Sequence, residues 1–85
     1  MKLPVIKSLV EFIEKNDEDY ILESLDVLEH LAGAKGLKEE EIEVIGELLS
    51  NMYGSLEVKK LMKEGQSQKE ALNAFMGRVL GAIGR

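Results

Sequence analysis

The chain has 85 residues, of which 45% are hydrophobic and 32% are charged, with a formal net charge of −5. This length and composition are typical of one globular domain spanning residues 1–85, and a second core would not fit. The lack of cysteine excludes disulfides and zinc–thiolate sites, and a single histidine excludes a multi-histidine metal site. We therefore expect no cofactor and no bound metal.

The N-terminal segment lacks the pattern of an export signal. Lys7, Ser8 and Glu11 interrupt its apolar stretch before that stretch reaches the necessary length. No window of the sequence approaches the roughly 20 apolar residues of a membrane span. We expect a cytoplasmic protein with no membrane contact.

The charges are distributed unevenly along the chain. Residues 1–54 carry 5 basic and 13 acidic side chains, whereas residues 55–85 carry 6 basic and 3 acidic ones. Regions of opposite sign can face each other within the fold or across a dimer, or the basic region can contact an anionic partner such as nucleic acid. We favour mutual contact of the two regions.

Two helices are predicted in the first part of the chain. Pro4 suits the first turn of a helix, where its missing N–H costs nothing, and apolar residues then recur at helical spacing to about Lys15. Asn16 and Asp17 end this helix and cap a second one. Gly33 ends the second helix, and we expect it to adopt the left-handed conformation. The second apolar stripe comprises Tyr20, Ile21, Leu25, Leu28, Leu31 and Ala32.

A third helix is predicted to begin near Lys38, and its apolar residues form two stripes. At about 100° per residue, the stripes lie nearly half a turn apart. Either the helix breaks at Gly54–Ser55, or it continues and packs against different neighbours on two sides; we expect the break. Gly46 is expected to be buried against the last helix. The stripes are Ile42, Ile45, Leu48, Leu49, Met52 and Leu56, then Val58, Leu61 and Met62.

The last helix has the best-defined start and two faces of different texture. Ser67 and Glu70 have the spacing of a capping box, which predicts a helix from about Gln68 to Ile83. Large apolar residues fall on one face and small residues on the other, where another backbone can approach closely. We predict that the small face is a contact surface, either within the chain or with a second copy. The predicted interface residues are Ala74, Gly77, Gly81 and Gly84.

Together these elements predict an all-α protein, a small bundle of four or five short helices around one core. Five segments have a recognisable sequence. They are MKLPVIK (1–7), NDEDY (16–20), IGEL (45–48), SNMYG (50–54) and EALN (70–73). In these segments the chain resembles a family of short, uncharacterised bacterial all-α proteins, and the resemblance covers nearly its whole length. That family has no assigned activity, so the resemblance implies a small helical protein and no functional residue.

Four polar side chains share one face of the second helix, namely Asp19, Glu23, Asp26 and His30. A di-metal site in a bundle needs a glutamate three residues before the histidine, and that position holds Val27. The acidic segment 39–41 lies at helical spacing, not at the spacing of a calcium loop. We interpret both groups as solvated helix surface.

Nothing in the sequence indicates catalysis. Tyr20 and Tyr53 could donate protons, but we expect their rings in the core with the hydroxyls in water. The chain has no nucleophile elbow and no glycine-rich phosphate loop. We expect no enzyme activity.

Two functions remain open. The first is a non-catalytic helical protein–protein interaction module that forms a homodimer and binds an unidentified protein partner. The alternative is a small nucleic-acid-associated regulator, because residues 55–82 have the outline of a helix-turn-helix in which Lys69, Asn73 and Arg78 would contact DNA. The acidic net charge argues against a DNA reader. We therefore favour the interaction module.

Overall fold

Four helices account for most of the chain in the computed structural model, which describes residues 2–83, with side chains described for residues 2–79. The all-α prediction is confirmed, and no strand occurs within the described range. The helices are α1 (Leu3–Lys15), α2 (Asp19–Ala32), α3 (Glu39–Lys63) and α4 (Gln68–Ile83).

The first connection follows the prediction, and the second differs from it. The Asn16 side-chain amide donates to the Phe12 carbonyl at 3.1 Å, and the Asp17 carboxylate accepts from the Asp19 N–H at 3.1 Å. These bonds close α1 and open α2. The prediction for Gly33 is wrong, since its φ is −94°. The left-handed residue of that connection is Gly36, with φ +89°.

Helix α3 is continuous over 25 residues, so the expected break at Gly54–Ser55 is wrong. Gly54 lies inside the helix because two neighbours leave no space for a side chain. A Cβ atom there would lie 3.0 Å from Cδ1 of Ile6 and 3.1 Å from Cζ of Phe75. The Ser55 hydroxyl donates to the Met52 carbonyl at 2.7 Å and caps nothing. Both small residues allow close packing within a continuous helix.

The two apolar stripes of α3 enter two different clusters of buried residues. One cluster lies where α1 and α4 meet α3, and the other lies where α1 and α2 meet α3. The alternative in which α3 continues and packs on two sides is therefore the one observed. The first cluster contains Ile6, Val10, Val58, Ala71, Leu72 and Phe75. The second contains Ile13, Ile21 and Leu25, with Leu9, Leu49, Met52 and Leu56 packed against it.

A buried polar residue joins the start of α1 to the middle of α3. Asn51 is 1% exposed, and its Oδ1 accepts a hydrogen bond of 2.8 Å from the Lys2 N–H. Burying an amide is costly unless it is paired, and a paired amide specifies one arrangement of its neighbours. This bond therefore fixes where α1 begins on α3.

The predicted capping box at the start of α4 is confirmed. The Ser67 N–H donates to Glu70 Oε1 at 2.9 Å, and the Glu70 N–H donates to Ser67 Oγ at 3.1 Å. The backbone N–H of Ser67, with a smaller contribution from its hydroxyl, lowers the pKa of Glu70. Gly65, at φ +109°, makes the preceding turn.

The folded chain is thin, with dimensions of 43 × 36 × 17 Å. A helix with its side chains is about 10–12 Å across. In so thin a body, each helix keeps part of its circumference at the surface. Which apolar residues lie on those uncovered parts decides where the protein can bind another molecule.

Candidate functional site

The structure places the first two residues of the predicted small-residue interface at the surface of α4. Ala74 and Gly77 are exposed, and no described atom beyond the chain neighbours and the backbone of α4 itself lies within 4 Å of the Cβ position of Gly77. Gly81 lies in α4, but its surroundings are outside the described side chains, and Gly84 lies outside the described residues. A contact of the small face within the chain is therefore not found at Gly77. A contact with a second copy of the chain stays a prediction.

Gly46, the expected internal counterpart of that face, is exposed with open space at its Cβ position, so its predicted burial is wrong. The reason is the position of α4, which packs on Val58, Leu61 and Met62 at the other end of α3. The close approach of a glycine to its neighbours occurs at Gly54 instead.

An uncovered apolar feature lies between α2 and α3, and we call it the α2/α3 groove. It consists of two cavities of about 540 and 410 Å³. Val27 and Leu31 are one helical turn apart on α2, as are Val44 and Leu48 on α3, so the two cavities follow one another along the same helix pair. The apolar lining is Tyr20, Val27, Leu28, Leu48 and Met52 at one end and Leu31, Leu37, Val44 and Ile45 at the other.

Five apolar residues that line this groove are exposed to solvent. Val27 is 65% exposed and Val44 is 58% exposed, and Tyr20, Leu31 and Leu48 are also exposed. The Tyr20 ring stacks edge-on against Phe12 with centroids 5.7 Å apart, so an exposed aromatic pair lies at one end of the groove. Exposed apolar residues grouped in this way make the groove a candidate interaction site.

The polar groups along the α2/α3 groove are acidic or neutral. Glu23 lines one cavity, Glu40 and Glu41 line the other, and Ser24 is the remaining polar neighbour. No lysine or arginine occurs among these lining residues. The groove therefore combines an apolar floor with a negatively charged edge.

Sequence reasoning placed Tyr20, Leu31 and Leu48 on core-facing stripes and so missed the groove. The stripes did identify the apolar side of each helix, but only α2 and α3 meet here. A weaker signal was present in Val27 and Val44. Each valine lies beside the predicted stripe and makes the apolar face of its helix wider. One neighbouring helix does not cover so wide a face.

The predicted burial of the two tyrosine rings is wrong. Tyr20 is 58% exposed and Tyr53 is 50% exposed. The Tyr53 hydroxyl donates to the Glu29 carboxylate, and this bond, with burial and the charges of Glu29 and Asp26, raises the pKa of Tyr53. A phenol with a raised pKa is a weaker acid and gives up its proton less readily, which disfavours the role of proton donor.

The structure forms no candidate metal centre within the described residues. Asp19, Glu23, Asp26 and His30 are all exposed, as the solvated-surface interpretation requires. No group of three or more potential metal ligands comes together in the described part of the chain. The apolar groove is therefore the feature from which a function can be argued.

The helix-turn-helix outline corresponds to the end of α3, the turn at Gly65 and α4. Several cations of this segment pair with carboxylates of the chain. Lys59 Nζ lies 3.2 Å from Glu14, and Lys63 Nζ lies 3.3 Å from Glu18, so basic and acidic regions face each other. Arg78 lies 3.5 Å from Glu57. These pairs reduce the positive charge available to a phosphate backbone.

The fold and the groove define a class of protein, a small four-helix protein with an open apolar groove. No described helix is long and apolar enough to cross a membrane. The chain belongs to DUF6952, a family of unknown function whose sequence model matches residues 1–84. The resemblance to an uncharacterised family is thereby confirmed. No curated protein and no solved structure matches the chain.

Proposed function

We propose that this protein is a non-catalytic interaction module whose α2/α3 groove binds an amphipathic helix of a partner protein. The observation that carries the proposal is the set of exposed apolar residues that line the two cavities of the groove. Removing that surface from water is the main driving force for association. The module acts by binding and needs no reacting group.

The dimensions of the groove favour a helix as its occupant. Tyr20 and Leu31 are eleven residues apart on α2, which corresponds to about 17 Å along the helix axis. A partner helix of about three turns spans that distance. Helices that bind in this way place apolar residues at i, i+3, i+4 and i+7 into the groove between two helices.

The acidic edge of the groove favours a basic partner. Glu23, Glu40 and Glu41 would face the rim of a bound helix, where lysine or arginine complements them. A second copy bound symmetrically through the same groove would bring these carboxylates against their own equivalents. We therefore propose a partner helix with one apolar face and lysine or arginine beside it.

A defined probe tests this proposal. The probe is a synthetic 18-residue peptide with leucines at i, i+3, i+4 and i+7 and lysines elsewhere, added to the ¹⁵N-labelled protein. We expect saturable chemical-shift changes along α2 and the first half of α3, and weaker binding at higher salt. A scrambled peptide of the same composition and an acidic version with glutamate for lysine should bind at least tenfold more weakly.

Matched variants locate the binding site. Val27→Ser with Val44→Ser removes two exposed groove residues, so the fold should persist while the probe affinity falls at least tenfold. Leu22→Ser is the control, because Leu22 is an exposed apolar residue of α2 that lines a different pocket with Glu18 and Leu56. The proposal is wrong if the scrambled peptide binds as well as the probe, or if the groove variant and the control bind equally.

Self-association is a second proposal, and it uses a different surface. The exposure of Ala74 and the open space at Gly77 favour a homodimer through the small-residue face of α4. Gly77→Leu should then reduce the dimer fraction measured by light scattering at several concentrations. Gly46→Leu, at an exposed glycine of α3, should leave that fraction unchanged. A monomeric wild-type protein at all concentrations would contradict this proposal.

Nucleic acid remains the alternative partner, and the cytoplasm remains the proposed location from composition alone. The ion pairs of Lys59, Lys63 and Arg78 support a low affinity for DNA. We expect no sub-micromolar binding of a random duplex at physiological salt in a gel-shift assay. Tight, salt-sensitive binding would reverse the order of the two proposed functions.

A further inference from the structure

A second groove lies between the first halves of α1 and α4, and we call it the α1/α4 groove. Its volume is about 550 Å³, within the range of about 300–1,000 Å³ found for small-molecule sites. Leu3, Pro4 and Leu72 supply its apolar wall. Leu72 is buried and belongs to the core, so this wall rests on the rigid part of the fold.

The polar lining of the α1/α4 groove consists of two lysines, Lys7 and Lys69, and two amides, Gln68 and Asn73. The Nε2 atom of Gln68 is buried and has no hydrogen-bond partner among the described residues. A buried amide donor without an acceptor is unfavourable, and such groups are rare in folded proteins. Gln68 also lines the groove, so its amide is the candidate donor to a ligand bound there.

Two lysines give the groove a positive charge. Lys7 and Lys69 line it, and neither forms an ion pair with any described residue. Lys59 and Lys63 differ in this respect, because they form ion pairs with carboxylates of α1 and of the α1–α2 connection. No acidic residue lines the groove, although the chain carries 16 acidic residues and a net charge of −5.

We propose that the α1/α4 groove binds a small carboxylate with an apolar body, such as an aliphatic monocarboxylate. The carboxylate would lie between the Lys7 and Lys69 ammonium groups and accept the hydrogen bond of the Gln68 amide. The apolar body would lie on Leu3 and Leu72. The first turn of α4 adds the positive end of its helix dipole at the same place. This proposal is independent of the partner helix proposed for the α2/α3 groove.

Octanoate is the probe, and three further compounds separate the contribution of the negative charge from that of the apolar body. In a titration of the ¹⁵N-labelled protein, we expect octanoate to cause saturable shifts at the starts of α1 and α4. Octylammonium has the same body with the opposite charge, acetate lacks the body, and inorganic phosphate has charge alone. Each should bind at least tenfold more weakly than octanoate. Equal binding of octylammonium, acetate or phosphate would overturn the proposal, as would shifts located elsewhere or lacking saturation.

Variants that preserve the fold test the assigned groups. Lys7→Gln with Lys69→Gln should weaken octanoate binding at least tenfold. Lys15→Gln with Lys60→Gln makes the same change in net charge at exposed positions outside the groove, and it should leave the affinity within twofold. If both double variants lose affinity equally, octanoate responds to overall charge and the proposed site is wrong.

Gln68→Leu separates a binding role from a structural one. Replacing the unpaired buried amide with an apolar group should keep or raise the melting temperature. The same variant should lose at least fivefold in octanoate affinity. Unchanged affinity would show that the amide takes no part, and would contradict the assignment of Gln68.

Discussion

The two parts of α3 belong to one helix but lie in different environments. In the C-terminal part, residues 49–63, Gly54, Ser55 and Val58 are buried, and α1 and α4 pack against Gly54 and Val58. In the N-terminal part, residues 39–46, Ile45 is the one buried residue. The helices that pack on α3, rather than the apolar content of α3, therefore decide which part stabilises the fold and which part remains exposed.

The largest effect is expected from matched glycine substitutions in these two parts. Gly54→Leu would place side-chain atoms where Ile6 and Phe75 already lie, and we expect a loss of about 3 kcal/mol in unfolding free energy. Gly46→Leu meets open space and should instead gain about 0.5–1 kcal/mol in helix propensity. Thermal melts check both variants. Two changes of the same sign would mean that the two parts are packed alike.

A smaller effect is expected from removing methyl groups at matched valines. Val58 is fully buried, so Val58→Ala should cost about 2 kcal/mol through lost burial and a cavity. Val44→Ala should cost less than about 0.5 kcal/mol, as is usual for surface substitutions. Urea denaturation measures both values. A large loss at Val44 would show that a second copy already covers the groove in solution.

The start of α4, which covers the C-terminal part of α3, can be compared with the start of α3. Ser67→Ala should cost about 1 kcal/mol and lower the melting temperature by about 4–8 °C. At α3 the Glu41 carboxylate accepts from the Lys38 N–H at 2.9 Å, but Lys38 offers no side-chain acceptor in return. Lys38→Ser should therefore raise the melting temperature by a few degrees. No change in either variant would contradict the capping argument.

The capping box should also respond to pH. Because the pKa of Glu70 is lowered in the folded state, its stabilising contribution is present above its ordinary value of 4.5. The contribution is lost as the pH falls through the lower folded value. The difference in stability between wild type and Glu70→Gln, measured by urea denaturation, should therefore shrink below pH 4.5. A constant difference down to pH 2 would contradict this assignment.

The smallest effect on stability is expected at Tyr53, which joins α3 to α2 through Glu29. Tyr53→Phe removes an exposed hydrogen bond and should leave the melting temperature nearly unchanged. Its raised pKa means that the neutral form favours folding, so its contribution is lost as pH rises through that value. An ultraviolet titration of the wild type should show a tyrosine that ionises above the ordinary pKa of 10.0. This ionisation step should be missing in the variant.

Local features of the fold could be predicted from the sequence. The start of α4 depends on Ser67 and Glu70, which lie three residues apart within one turn, and the capping box is observed. The break at Gly54 was predicted wrongly because glycine destabilises a helix locally. Its actual role is to accommodate Ile6 and Phe75, which are distant in sequence. Helix propensity depends on the residue and its neighbours in sequence, so it does not predict such a contact.

The α2/α3 groove could not be predicted for a related reason. The apolar pattern indicates which side of a helix avoids water, but the pattern does not say whether another element covers that side. Leu31 and Ile42 lie on predicted stripes and remain exposed, because no described helix covers α2 and α3 there. For α4, Ala74 and Gly77 of the small face are exposed, and the predicted contact through that face stays a prediction.

The hydrogen bond between Lys2 and Asn51 has a consequence for the order of folding. It joins residues 49 positions apart, so α1 can lock onto α3 only after a long loop has closed. The turn between α3 and α4 brings its helices together across a much shorter separation, which is kinetically faster. We expect an early α3–α4 hairpin and late docking of α1. By the same reasoning, the helix that docks last is the first to detach. The backbone amides of α1 should therefore exchange with deuterium through a partial opening in which the other helices stay folded.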